Sequence, residues 1–190
     1  MGNALKRLYL TEADYLVSEE NAQSKHEFVA GEVYAMAGVG ARRNRISINL
    51  TVKLDAATRN TSCEVFMADM KVRIDIQRAY YYPDVMLTCP DLREDDDHPL
   101  YRVAPCLLAE VLSPSTVNID EREKWFHYRD IPVLRYYLLI NAERCYVRLR
   151  NRDGTDWLEQ TLGENDIVLL ECGTAKISLG LDELYQRTGI

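Results

Sequence analysis

Two carboxylates stand in runs where every neighbour is apolar or aromatic. Tyr80-Tyr81-Tyr82-Pro83-Asp84-Val85 carries the first and Leu107-Leu108-Ala109-Glu110-Val111-Leu112-Ser113 the second. Continuous apolar runs of this kind read as strands covered on both faces. An acid on such a strand is costly to bury unless a positive group sits beside it. Two of them suggest a shared cation, and therefore a sheet in which the two strands converge.

The remaining pattern supplies a frame for that sheet. Thr11-Glu12-Ala13-Asp14-Tyr15-Leu16 opens a short helix, with Thr11 as its cap and acids in its first turn. His26 to Met36 reads as two strands around an Ala30-Gly31 turn. Gly38 and Gly40 break the chain. From Arg42 to about Thr58, Ile46, Leu50 and Leu54 recur at helical spacing. Strands follow at Glu64–Met67 and Met70–Ile76, the second alternating as if one face met solvent. The acid-bearing strands are expected at Pro83–Thr88 and Cys106–Leu112, and a helix at Thr116–Arg129 with Pro132 beyond its end. Arg135–Ile140 is a further strand. A hairpin over Cys145–Arg150 and Trp157–Thr161 turns at Asn151-Arg152-Asp153-Gly154, and a short helix near Leu181–Arg187 closes the chain. This order predicts an α/β fold bordering on α+β: a central mixed sheet flanked by helices, with N-terminal and C-terminal hairpins. At 190 residues it is expected to be one domain, 1–190, with a substantial core.

Composition narrows the classes. With 47% hydrophobic and 28% charged residues the chain is globular rather than disordered. No run reaches membrane-spanning length, and the first residues lack an apolar signal core, so no membrane partner and a cytoplasmic location are expected. The five cysteines form no C-x-x-C pair and read as reduced, mostly buried thiols rather than a zinc site. A net charge of −7 argues against a protein that coats nucleic acid non-specifically. It leaves room for a metal site, which gathers acids, with local basic residues such as Arg42, Arg43 and Arg45. The acidic run Asp91–Asp97 reads as a solvated loop.

Asp84 and Glu110 fit the needs of magnesium, with manganese as a substitute, because such an ion takes a few carboxylates and completes its shell with water and phosphate oxygens. Such an ion suits hydrolysis of a phosphodiester bond. Pattern alone leaves the other reading open, in which each acid separately caps a turn or pairs with an arginine. Asp91 repeats the Pro-Asp pair but opens the acidic loop, so Asp84 is preferred. Phosphodiester cleavage also asks for a positive group. Leu112, two after Glu110, cannot be one. Lys124 can, since Asp120, Lys124 and Tyr128 are spaced by four on one helix face; the plainer reading is a surface i,i+4 ion pair. Ser113-Pro114-Ser115-Thr116 is explained by helix capping. Gly38-Val39-Gly40-Ala41-Arg42-Arg43 is half of a phosphate-binding fingerprint and implies no dinucleotide. Glu27 in the hairpin and Lys71 on the neighbouring strand are further candidates for the site.

The stretches Lys25–Met36, Asn44-Arg45-Ile46, Tyr81–Val85, Glu110–Thr116 and Asp120–Lys124 together resemble a bacterial family of restriction-endonuclease type, long carried as a domain of unknown function within the PD-(D/E)XK nuclease superfamily. The resemblance spans nearly the whole chain and is most specific over Glu110–Thr116. It implies a restriction-endonuclease-like core, with Asp84 and Glu110 as metal-binding acids and Lys124 as the motif lysine displaced onto the following helix. Glu27 matches an acidic position of the family's early hairpin. Arg43 departs from the pattern, standing where relatives often have histidine; contact with phosphate is the alternative role open to it. The implied activity is a Mg-dependent DNA endonuclease, with a homodimer offering two sites for two strands. The acidic pI and Leu112 motivate a rival, a catalytically inactive nuclease-fold module that binds or regulates. A metal-dependent hydrolase of another phosphate ester is a third reading.

Overall fold

The computed structural model describes residues 10–36, 38, 40–90, 98–113 and 119–190. Its centre is a six-stranded mixed sheet in the order β11-β10-β9-β8-β6-β3. These strands are β3 (Glu64–Met67), β6 (Val85–Thr88), β8 (Pro105–Leu112), β9 (Tyr136–Asn141), β10 (Val147–Asp153) and β11 (Asp156–Leu162). β8 and β9 run parallel, and the other neighbours are antiparallel. The parallel pair needs a crossover. The chain supplies one in the segment carrying a π-helical stretch, Ile119–Lys124, which continues as α3 (Trp125–Tyr128).

A second sheet of five strands has the order β2-β1-β5-β4-β7. It contains β1 (His26–Val29), β2 (Glu32–Ala35), β4 (Lys71–Ile74), β5 (Ala79–Tyr81) and β7 (Tyr101–Arg102). The early hairpin is therefore part of a sheet and not a free-standing ribbon. Its turn takes positive φ at both central residues, Ala30 and Gly31, as a tight hairpin turn with right-handed twist requires. α1 (Glu12–Glu20) is capped as expected, the Thr11 side chain accepting from the Asp14 N–H.

α2 (Ala41–Thr58) buries Ile46, Leu50 and Leu54 against β3 and the C-terminal hairpin of β12 (Ile167–Cys172) and β13 (Ala175–Gly180). α4 (Leu181–Leu184) closes that side. The opposite face of the central sheet is a separate core of Leu108, Leu112, Leu139, Tyr128 and Tyr137. Period-2 alternation along β8 sends Leu107, Ala109 and Val111 into the first core. It leaves Glu110 on the face of Leu108 and Leu112, toward Tyr128 and the π-helical stretch.

Several expectations are corrected. The cysteines are not all reduced thiols: Cys63 bonds Cys89, Cys106 bonds Cys172, and Cys145 is free. The first bond follows from register, because Glu64 pairs with Thr88 and the next residues outward are Cys63 and Cys89. The second joins β8 to β12 across the core, a meeting that no sequence spacing reveals. The polar face of β4 is only partly solvated: Lys71 is buried, while Arg73 beside it is partly exposed. The late hairpin turns two residues later than expected, its strands pairing out to Asp153–Asp156 around Gly154 with positive φ. β12 and β13 were not anticipated. Asp84 lies immediately before β6 rather than within it. The acidic run Asp91–Asp97 and the cap candidates Ser115 and Thr116 lie outside the described residues. Among the described residues, no helix is long and apolar enough to cross a membrane.

Candidate active site

β6 and β8 pair antiparallel with Val85 opposite Ala109, so the next position outward sets Asp84 opposite Glu110. Asp84 Oδ2 is anchored on β8 itself, accepting the Val111 N–H at 2.7 Å. It also accepts from Arg43, at 2.8 Å from Nη2 and 3.2 Å from Nε. Arg43 comes from the first turn of α2, which the break at Gly38 and Gly40 sets over this end of the sheet.

Lys124 enters from the crossover. Its Nζ lies 2.8 Å from Glu27 Oε1, 3.1 Å from Glu110 Oε1 and 3.2 Å from Asp120 Oδ1. Asp120, Lys124 and Tyr128 do share one helical face, and that face is buried, not a surface ion pair. The Tyr128 hydroxyl donates to Glu110 Oε1 at 3.1 Å, and the Tyr137 hydroxyl donates to the Asp120 carbonyl at 2.8 Å. Glu27 reaches in from β1 and accepts the Tyr82 N–H at 3.4 Å. The π-helical winding of Ile119–Lys124 is the kind of local irregularity that recurs at functional sites.

Electrostatics follow from burial. Glu110 is fully buried, and desolvation pushes its carboxyl well above the usual carboxylate range, with the Lys124 ammonium opposing. Burial alone would pull Lys124 down. Glu110, Glu27 and Asp120 outweigh it and push the ammonium well above its ordinary value. Lys124 therefore stays protonated at neutral pH. Among the described residues, two carboxylate oxygens, Glu110 Oε2 and Asp120 Oδ2, are buried with no hydrogen-bond partner. When ionised, four carboxylates (Glu27, Asp84, Glu110 and Asp120) face the two cations that pair with them, Arg43 and Lys124. The excess of two negative charges matches one divalent cation.

No three acidic, histidine or cysteine side chains form a ready-made metal cage among the described residues. Magnesium does not require one, since it binds through one or two carboxylates and keeps several waters. Asp84 and Glu110, with an orphaned Glu110 oxygen, fit that donor set.

Glu27, Arg43, Asp84, Asp120 and Lys124 line one cleft of about 930 Å³, with Glu110 behind Lys124. The structure thus brings together Asp84, Glu110, Lys124, Glu27 and Arg43. Lys71 is not among them. It packs over the rings of Tyr82 and Tyr15, 5.0 Å and 6.0 Å from their centroids, and does not line the cleft. Asp120 and Tyr128 belong to the cluster although the sequence did not select them. Their four-residue spacing was the signal, and only packing could show that this face turns inward.

Fold and cleft together define a mixed α/β protein with a charged cleft at the end of its central sheet. Residues 12–182 match the Uma2 family, described as "Putative restriction endonuclease", and the chain belongs to that family. It is 38% identical over 159 residues to sll1609, an uncharacterized protein of Synechocystis sp., covering 82% of this chain and 89% of the relative. A second uncharacterized Synechocystis protein, slr1290, is 34% identical over 180 residues, covering 93% and 92%. Among solved structures, a putative nuclease of the DUF820 group from Anabaena variabilis superposes with a TM-score of 0.74 at 13% identity, covering 94% of this chain and 99% of that one. At that identity the likeness establishes the fold.

Proposed function

We propose that the chain is a magnesium-dependent DNA endonuclease acting as one domain, with Asp84 and Glu110 as metal ligands and Lys124 as its fixed cation. The observation that carries this reading is a buried, unpartnered Glu110 oxygen in a cluster of four carboxylates that pair with two cations, Arg43 and Lys124. A divalent ion held there, magnesium or manganese, would polarise a phosphoryl oxygen and lower the pKa of an attacking water.

The chain's own groups do the rest. Asp84 is held rigid by the Val111 N–H. Tyr128 and Lys124 both hold Glu110 Oε1, which leaves Oε2 as the oxygen to offer. Lys124 is too firmly protonated to accept a proton. Its role is to hold the acids in register and to offset the charge that develops on the phosphate. Glu27 and Asp120 keep the ammonium in place. Arg43 is positioned to move from Asp84 to a phosphate oxygen when substrate arrives.

The deciding experiment measures magnesium and manganese binding by calorimetry and cleavage of plasmid DNA, for wild type and folded Asp84→Ala and Glu110→Gln variants. Metal binding and cleavage that both disappear in the variants are expected. Wild-type protein that binds neither metal and leaves DNA intact would sink the reading. The second reading, a nuclease fold that binds without turnover, is favoured by the Arg43 guanidinium seated on Asp84 and by Leu112 in the usual lysine place. Metal binding without cleavage of any substrate would select it. A cytoplasmic location and a homodimer that cuts both strands complete the proposal, the latter checked by analytical ultracentrifugation.

A further inference from the structure

Beyond the acids, the walls of the cleft are aromatic and apolar. Tyr34 on the edge strand β2 is 50% exposed and Phe126, two residues beyond Lys124, is 55% exposed; both line the cleft, with Val29 and Met36 between the polar groups. The Arg129 guanidinium lies 4.6 Å over the Phe126 ring and extends it as a flat, cationic platform. Large exposed rings beside a polar reaction centre suit a ligand with a π-face.

The charge on the cleft points the same way. Lys25, Arg43, Arg122 and Lys124 are balanced by Glu27, Asp84, Asp120 and Glu123, so the lining has no positive surplus among the described residues. Lys25 is itself paired with Asp69, and Arg43 with Asp84. Tracking the two backbones of a duplex relies on many unpaired Lys and Arg groups. A chain of net charge −7 with a charge-balanced cleft does not supply them. A cleft of about 930 Å³ also has the size of a small-ligand pocket, which suits a nucleotide unit better than a duplex.

We propose that this cleft takes an unpaired nucleotide, its base stacked on Tyr34 or Phe126, so that the substrate is single-stranded or locally unpaired nucleic acid. The inference rests on the nuclease reading above and narrows it to a substrate class. Stacking on aromatic side chains is sequence-tolerant and needs little cationic surface, which fits an acidic protein. Every base has a π-face, so the walls select for the unpaired state and not for a sequence.

The test is fluorescence anisotropy with three labelled probes: an oligo(dT) strand, an oligo(U) strand and a blunt DNA duplex. Each is measured with calcium in place of magnesium and again in EDTA, for wild type, Tyr34→Ala, Phe126→Ala and Tyr34→Trp. Single strands are expected to bind at least ten-fold tighter than duplex. Each alanine is expected to weaken single-strand binding by roughly 5- to 100-fold, with magnesium affinity by calorimetry unchanged and Tyr34→Trp retaining binding. The two single-stranded arms show whether the DNA or the RNA strand is preferred. Duplex binding as tight as single-strand binding, or alanine variants that bind single strands as wild type does, would overturn the proposal. Cleavage confined to duplex would overturn it while leaving the nuclease reading intact. Ring-dependent strand binding by a protein that holds no metal would sustain it and remove the nuclease reading.

Discussion

Lys124 shows how much one side chain can organise. Its ammonium is the common partner of Glu27, Glu110 and Asp120, none of which is well solvated. Removing one member of a buried ion cluster leaves uncompensated charge and costs about 3–5 kcal/mol. Lys124→Met is therefore expected to lower the unfolding free energy by about that much in urea titrations, and added magnesium should recover part of the loss. Glu110 sets a pH dependence of opposite origin. Burial raises its folded-state pKa above the ordinary 4.5, so between 4.5 and the folded value the native state holds a proton that the unfolded chain has lost. Its contribution to stability is complete below 4.5 and falls as pH rises, with a slope of at most about 1.4 kcal/mol per pH unit. In EDTA, wild type should lose stability relative to Glu110→Gln on going from pH 5 to pH 8; a constant difference would show that Glu110 does not titrate there. Asp84 and Glu110 were legible in the sequence because an acid in an apolar run is a chemical anomaly. Asp120 was not, because an i,i+4 acid–lysine pair looks the same on a solvated face as on a buried one.

At the scale of elements, legibility followed periodicity. α2 was plain from Ile46, Leu50 and Leu54, and the early hairpin from Ala30-Gly31 between short apolar strands. β12 and β13 were missed although Ala175, Ile177 and Leu179 alternate with Lys176 and Ser178, because the paired strand Ile167–Leu170 is unbroken hydrophobic sequence with exposed Ile167 and Leu169. The sequence could show that α2 exists but not that its first turn would place Arg43 on Asp84. That contact couples the helix to Asp84, so the guanidinium and a cation bound as proposed would compete for one carboxylate. Arg43→Gln is expected to strengthen manganese binding about ten-fold, equivalent to about 1.4 kcal/mol. Calorimetry checks it, and unchanged or weaker affinity would show that Arg43 leaves the metal oxygens free in solution.

Across the whole molecule, the two disulfides tie the site to the far end of the fold. Cys106 is the second residue of the strand that carries Glu110, and its bond to Cys172 holds β8 against the C-terminal hairpin. Cys63–Cys89 closes the outer pair of strands next to β8. A bond closing the 66-residue separation from Cys106 to Cys172 stabilises by about 4 kcal/mol in the chain-entropy account. Disulfides are uncommon in a reducing cytosol. Here, however, all four sulfurs belong to residues at most 7% exposed, so a reductant reaches them only when the core opens. Alkylation under denaturing, non-reducing conditions should therefore modify Cys145 alone, and all five cysteines after reduction. Reduction should be slow in the native protein, fast in denaturant, and should lower the melting temperature. Five modified cysteines in freshly purified, unreduced protein would show instead that these positions are paired only by proximity. The Glu110 strand would then rely on core packing alone.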